Sequence, residues 1–140
     1  MESWNYLNTT TAQNAFLFEK GFVNTQYSNF YFSGNTFYFR TIGLSTEDLS
    51  FTTSTYISPN TWNHVVCTYG AGTKTIYVNG TQVAQQTGLT GTISTNTTGL
   101  YLGAHGPGTN FFLNGKIAES RVYNRALTAA EVLQNYNATK

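Results

Sequence analysis

The chain has 140 residues, room for one domain with a single core. Charged residues make up only 9 % of it and aromatics 16 %, the reverse of the balance that keeps a chain disordered. The net charge is +1 and the cations, Lys20, Arg40, Lys74, Lys116, Arg121, Arg125 and Lys140, are scattered, so no nucleic-acid groove and no polybasic lipid patch is expected.

Met1 is followed by Glu2, Ser3 and Trp4, which is neither the basic start nor the apolar run of a signal peptide. No apolar run approaches the roughly 20 residues of a membrane span. Short aromatic or β-branched runs recur between Gly, Asn and Ser clusters: Ser3–Leu7, Ala15–Lys20, Gln26–Ser33, Thr36–Ile42, Ser50–Ser58, Trp62–Tyr69, Lys74–Val78, Thr81–Gln86, Leu100–Ala104 and Gly115–Tyr123. Many short strands with turn signals between them predict an all-β fold, a sandwich or jelly roll.

Period-2 reading of Gln26–Ser33 places Tyr27, Asn29, Tyr31 and Ser33 on one face and Phe30 and Phe32 on the other. Along Thr36–Ile42 it groups Tyr38 with Arg40, opposite Phe37 and Phe39. The phenylalanines read as core. Tyr27, Asn29, Tyr31, Tyr38 and Arg40 offer flat rings, hydroxyls, an amide and a guanidinium, groups that stack on sugars and bond their hydroxyls. Cross-strand aromatic pairing that merely stabilises the sheet is the competing reading of the same set.

Further along, His64 lies between Trp62 and Val66 and reads as a half-buried, hydrogen-bonded imidazole. Cys67, the only cysteine, sits in an apolar run and reads as a buried free thiol. Asn79–Gly80 separates two strand runs and supplies the two positive-φ residues of a type I′ hairpin turn. Leu89–Gly99 is rich in Thr, Gly and Ser and reads as a long connection, and His105 lies in a following loop that could touch a ligand. Near the end Leu127, Val132, Leu133 and Tyr136 take helical spacing, and Thr128–Ala129–Ala130–Glu131 is a capping box, so one short C-terminal helix is predicted.

The acids are Glu2, Glu19, Glu47, Asp48, Glu119 and Glu131, and none forms the strand-spaced pair that glycoside hydrolysis requires. His64 and His105 accompany no serine elbow, no H-E-x-x-H and no Cys-His signature, so no catalytic residue is assigned. Asp48 is the only aspartate, which is thin for calcium; no metal and no cofactor is expected, with Glu47 and Asp48 the sole exception to weigh.

Trp62–Asn63–His64–Val65–Val66–Cys67–Thr68–Tyr69 followed by Thr75–Ile76–Tyr77–Val78–Asn79–Gly80 resembles the W-x-H-V-x-x-T-Y … L-Y-V-N-G signature of laminin-G-like jelly rolls, within the concanavalin A-like lectin/glucanase superfamily. Gly115–Leu127 resembles the closing G-x-I-D-E-V-R-I-Y-N-R-A-L of that family, and Glu131 matches the acid of its short helix. Two departures are Ala118, where the family usually has Asp, and Ser120, which replaces an apolar residue. The resemblance implies two antiparallel sheets in a jelly roll, residues 1–140 forming one such domain, used mostly to bind carbohydrate or protein and sometimes placed beside an enzyme domain; it does not imply catalysis.

Family members usually carry a further first strand before the position of Trp4, lying beside the last strand. Its absence would leave an open edge near Gly115–Tyr123, to be covered by a neighbouring subunit or a separate segment, so an oligomer or larger assembly is expected. The functional expectation is a recognition module that binds glycan through Tyr27, Asn29, Tyr31, Tyr38, Arg40 and His105, placed outside the cell or on a virion surface. The alternative is a structural subunit of a virus or phage particle making only protein contacts.

Overall fold

The computed structural model describes residues 1–9, 13–21, 28–106 and 111–140. In chain order the elements are β1 (Glu2–Leu7), β2 (Gln13–Lys20), β3 (Ser28–Gly34), β4 (Thr36–Arg40), β5 (Asp48–Thr52), α1 (Thr53–Tyr56), β6 (Trp62–Gly70), β7 (Thr73–Val78), β8 (Thr81–Gln86), β9 (Leu100–Leu102), β10 (Gly115–Arg121) and α2 (Ala129–Thr139). They make two five-stranded antiparallel sheets, with strand orders β10-β1-β6-β7-β8 and β5-β4-β3-β2-β9. This is the two-sheet jelly-roll sandwich with one short C-terminal helix that the strand pattern and the resemblance predict.

Alternation decides which side chains meet between the sheets. Phe30, Phe32, Phe37 and Phe39 are all buried and face Leu7, Val65, Cys67, Ile76 and Val78 of the other sheet. The rings pack edge-to-face, with centroids 5.2 to 5.4 Å apart for Phe32–Phe37, Phe30–Phe39 and Phe18–Phe30. Each such ring contributes about 1.5–3 kcal/mol by leaving water. Cys67 is a free thiol in this core, and burial pushes its pKa up, which keeps it protonated and unreactive.

The β7–β8 turn takes the predicted form: Asn79 has φ 51° and Gly80 φ 78°. Asn79 also clamps β6, because its side-chain oxygen accepts from the His64 N–H at 2.9 Å and its own N–H donates to the His64 carbonyl at 2.8 Å. The predicted strand Ser50–Ser58 is shorter than expected. The ladder ends at Thr52, where the Thr53 N–H and hydroxyl both donate to the Asn35 carbonyl and turn the chain into α1. Ile57 then closes that turn by donating to the Thr53 carbonyl, and buries its side chain.

Helix α2 begins at the predicted capping box: the Thr128 hydroxyl accepts from the Glu131 N–H, and Glu131 accepts from the Thr128 N–H. Val132 is buried against Val66, Tyr77 and Leu127, while Leu133 stays exposed. The helix covers Glu2, which is 1 % exposed. Glu2 Oε1 accepts from His64 Nε2 at 2.8 Å and Arg121 at 3.2 Å, and Oε2 accepts from the Tyr123 hydroxyl at 2.7 Å and Asn135 at 3.0 Å. Burial alone would raise this carboxyl, but the hydrogen bonds from His64, Tyr123 and Asn135 outweigh it and hold the group at about 2. His64 is therefore fully buried rather than half-buried, packed against both Trp4 and Tyr136, which also stack on each other, and Trp4 Nε1 donates to Thr139 Oγ1 at 2.7 Å.

The strand beside Gly115–Arg121 is β1 itself, the one carrying Trp4. On its other side β10 has no partner strand among the described residues.

Candidate functional site

The solvent face of the second sheet collects the side chains that alternate with the core phenylalanines. Register places Asp48, Arg40, Asn29 and Glu19 in one row across β5, β4, β3 and β2. The next row is Ser50, Tyr38, Tyr31 and Phe16, and the third is Thr52, Thr36, Ser33 and Asn14. A bulge at Leu17 makes this possible. The pairing slips between Phe16 and Phe18, so Leu17 and Phe18 both turn inward while Phe16 and Glu19 both reach the outer face.

The middle row forms a stack. Tyr38 and Tyr31 lie 4.9 Å apart at an interplanar angle of 12°, Tyr31 and Phe16 5.2 Å apart at 19°, and Phe16 and His105 4.6 Å apart at 24°. Phe111 closes the far end, 5.6 Å from His105; its φ of 49° is a left-handed conformation rare for an aromatic residue. A shallow hollow of about 390 Å³ beside this end is lined by Asn14, Phe16, Tyr31, Phe32, Ser33, His105 and Phe111.

Charges in the first row are paired internally. The Arg40 guanidinium donates to both Asp48 oxygens, at 2.8 and 2.5 Å, and lies 5.4 Å from the Tyr31 ring centroid. The bond to Asp48 raises the Arg40 pKa, and burial together with Asp48 pushes the Tyr31 hydroxyl up to about 12. Glu19 is buried beneath the loop that follows β9: the Gly106 N–H donates to Oε2, and His105 Nδ1 lies 2.7 Å from Oε1. Burial raises the Glu19 carboxyl, opposed by the Gly106 bond and by His105.

Of the expected ligand-binding residues, Tyr31, Tyr38, Arg40 and His105 come together on this face. Asn29 is on it too, but fully buried between Arg40 and Glu19, and among the described residues its amide has neither a donor nor an acceptor partner. Tyr27 lies outside the described residues. Phe16, Glu19 and Phe111 belong to the cluster and were not singled out by alternation, because Phe16–Glu19 crosses the bulge and Phe111 follows a loop. Glu47 and Asp48 do not converge. Asp48 is held by Arg40, while the Lys74 ammonium, lowered to about 8 by burial, donates to the Thr46 and Glu47 carbonyls. Among the described residues no three His, Cys, Asp or Glu side chains gather as a metal site.

A two-sheet antiparallel sandwich of this strand order has a lectin-like fold. The chain belongs to the laminin-G family Laminin_G_3 of the concanavalin A-like lectin/glucanases superfamily, whose model matches residues 1–133. No curated protein sequence matches it. Domain 4 of AbnA, a GH43 extracellular arabinanase from Geobacillus stearothermophilus solved in complex with arabinotriose, is similar with a TM-score of 0.70 at 18 % identity, over 95 % of this chain and 63 % of that one. The receptor binding domain of botulinum neurotoxin type G is similar with a TM-score of 0.62 at 20 % identity, over 98 % of this chain and 37 % of that one. The binding domain of Paraclostridial Mosquitocidal Protein 1 gives 0.63 at 21 % identity, over 98 % and 35 %. The chain thus spans less than two-thirds of each of these relatives, and the likeness is one of fold.

Proposed function

We propose that this domain is a non-catalytic module that binds carbohydrate through the solvent face of β2–β5. The observation that carries this reading is the row Tyr38–Tyr31–Phe16–His105 flanked by Arg40–Asp48 on one side and by Thr36, Ser33 and Asn14 on the other. Aromatic surface bordered by hydroxyls, amides and a fixed ion pair suits a ligand that is apolar on its ring faces and polar at its rim. The arabinotriose complex of the similar arabinanase domain supports the same ligand class.

The state of the acids supports a binding role without catalysis. Five of the six acids, Glu2, Glu19, Asp48, Glu119 and Glu131, are tied to His64, His105, Arg40, Arg121 and Arg125 respectively, so the two on the β2–β5 face, Glu19 and Asp48, are each engaged by a basic side chain and not by one another. An extracellular placement fits the relatives, and no helix among the described residues is long and apolar enough to cross a membrane. The outer edge of β10, which has no partner strand among the described residues, suits strand addition by a neighbouring chain, which sedimentation of the purified protein tests. The particle-subunit reading draws no support from these relatives.

The test is binding on a glycan array by wild type, Tyr31→Ala and Tyr38→Ala, with far-UV circular dichroism to establish that each variant is folded. The reading predicts saccharide binding by wild type that falls at least tenfold in the folded variants. Wild type that binds no saccharide, or folded variants that bind as well as wild type, would overturn it.

A further inference from the structure

The stack that defines the face also limits how a sugar can use it. Tyr31 has Tyr38 against one side and Phe16 against the other, and Phe16 has Tyr31 and His105. With interplanar angles of 12°, 19° and 24°, these rings cover one another, so Tyr31 and Phe16 present edges to solvent. Among the described residues Tyr38 stands at the end of the row, with no further ring against its other face. Its neighbour on the far side is Ser50 of β5, an exposed residue on the edge strand of the sheet, too short to cover a ring.

We infer that the stacking subsite for saccharide is the free face of Tyr38 in the slot above Ser50, and that it takes one neutral sugar ring whose hydroxyls are read by the Asp48–Arg40 pair. This deepens the carbohydrate reading above and rests on it. One end of the slot is that ion pair, with Asp48 in the row next to Ser50 and both partners about one-third exposed. The other end is the cross-strand pair Thr36–Thr52, which supplies two hydroxyls. A ring lying against Tyr38 therefore meets a carboxylate and a guanidinium at one rim and threonine hydroxyls at the other. Arg40 is already bonded to both oxygens of Asp48, so the slot offers no uncommitted cation to an anionic sugar, and a neutral ring fits it. Tyr31, covered on both faces, acts here as a positioning residue that holds Tyr38 upright.

The experiment has two arms using the whole chain and four neutral trisaccharides: arabinotriose, cellotriose, maltotriose and mannotriose. In the first, ¹H–¹⁵N spectra of wild type are titrated with each sugar. The expected shifts fall at Tyr38 and at Asp48–Thr52, and a response confined to Phe16, His105 and Phe111 would overturn the slot while leaving carbohydrate binding intact. In the second, Ser50→Tyr fills the slot with a ring that continues the stack on an exposed edge strand, where aromatic cross-strand pairs are tolerated. Affinity should fall at least tenfold in Ser50→Tyr, with unchanged circular dichroism. Folded Ser50→Tyr that binds as wild type does would refute the slot, and wild type in which no sugar shifts any amide would remove the carbohydrate reading itself. The wild-type titration decides the matter even where the variant fails to fold.

Discussion

Glu2→Gln tests how the first sheet is fastened to its helix. The wild-type carboxylate sits at about 2 in the folded chain against 4.5 for the ordinary group, and its side chain is 2 % exposed, so solvent screens it little. A difference of that size at about 1.36 kcal/mol per pH unit is about 3 kcal/mol of stability. Because the folded value is the lower one, this stabilisation is fully present above pH 4.5 and is lost as the pH falls towards 2, about 2 kcal/mol of it by pH 3. Glu131, also held at about 2 by Arg125 and Thr128, titrates on the surface in both proteins and cancels in the comparison. Urea unfolding at pH 7 and pH 3 measures the effect. The variant should be less stable than wild type by about 3 kcal/mol at pH 7, and its loss between pH 7 and pH 3 should be smaller by about 2 kcal/mol. Equal stability at pH 7, or parallel pH dependence in the two proteins, would refute the assignment of that stabilisation to the His64, Tyr123 and Asn135 bonds.

Two further perturbations probe the scaffold. Asn79→Ala removes the acceptor of the His64 N–H and places alanine at φ 51°, which should lower stability by about 2–3 kcal/mol in urea unfolding; a change below 0.5 kcal/mol, within about the noise of such measurements, would contradict the clamp. Lys74 is an ammonium lowered by burial to about 8 from 10.5, so the unfolded chain binds the extra proton between those values and this group adds stability as pH rises across that window; the stability of wild type relative to Lys74→Met, a difference in which the opposing ionisations of Cys67 and Tyr31 cancel, should rise between pH 8 and 10.5 in urea unfolding, and a flat difference would contradict the burial of the ammonium.

Much of this architecture is legible in the sequence because alternation and turn chemistry act locally. Each of the ten predicted strand runs contains or overlaps an observed strand, and Asn79–Gly80 and Thr128–Glu131 do what their side chains dictate anywhere. Phe30, Phe32, Phe37 and Phe39 are core because their apolar faces have only one place to go. What alternation misses depends on non-local events. The bulge at Leu17 inverts the facing of Glu19 relative to Phe16, and nothing in the run Phe16–Leu17–Phe18–Glu19 marks which residue is the extra one. Asn29 is correctly faced, yet buried with Glu19 in a row partly covered by a loop more than 70 residues later in the chain. That Tyr31 and Tyr38 cover each other depends on β3–β4 register, which pairing fixes and composition does not.

The position of β1 sets the timetable of folding. Residues near the start of the chain lie in the interior of their sheet, between β6 and β10, and their carboxylate waits for Arg121, Tyr123 and Asn135. A ribosome therefore releases β2 to β9 before β10 can close the first sheet on β1. Such reliance on sequence-distant pairing slows the search for the native topology, and the unclosed apolar face is exposed to aggregation for as long as synthesis of the last strand and helix takes.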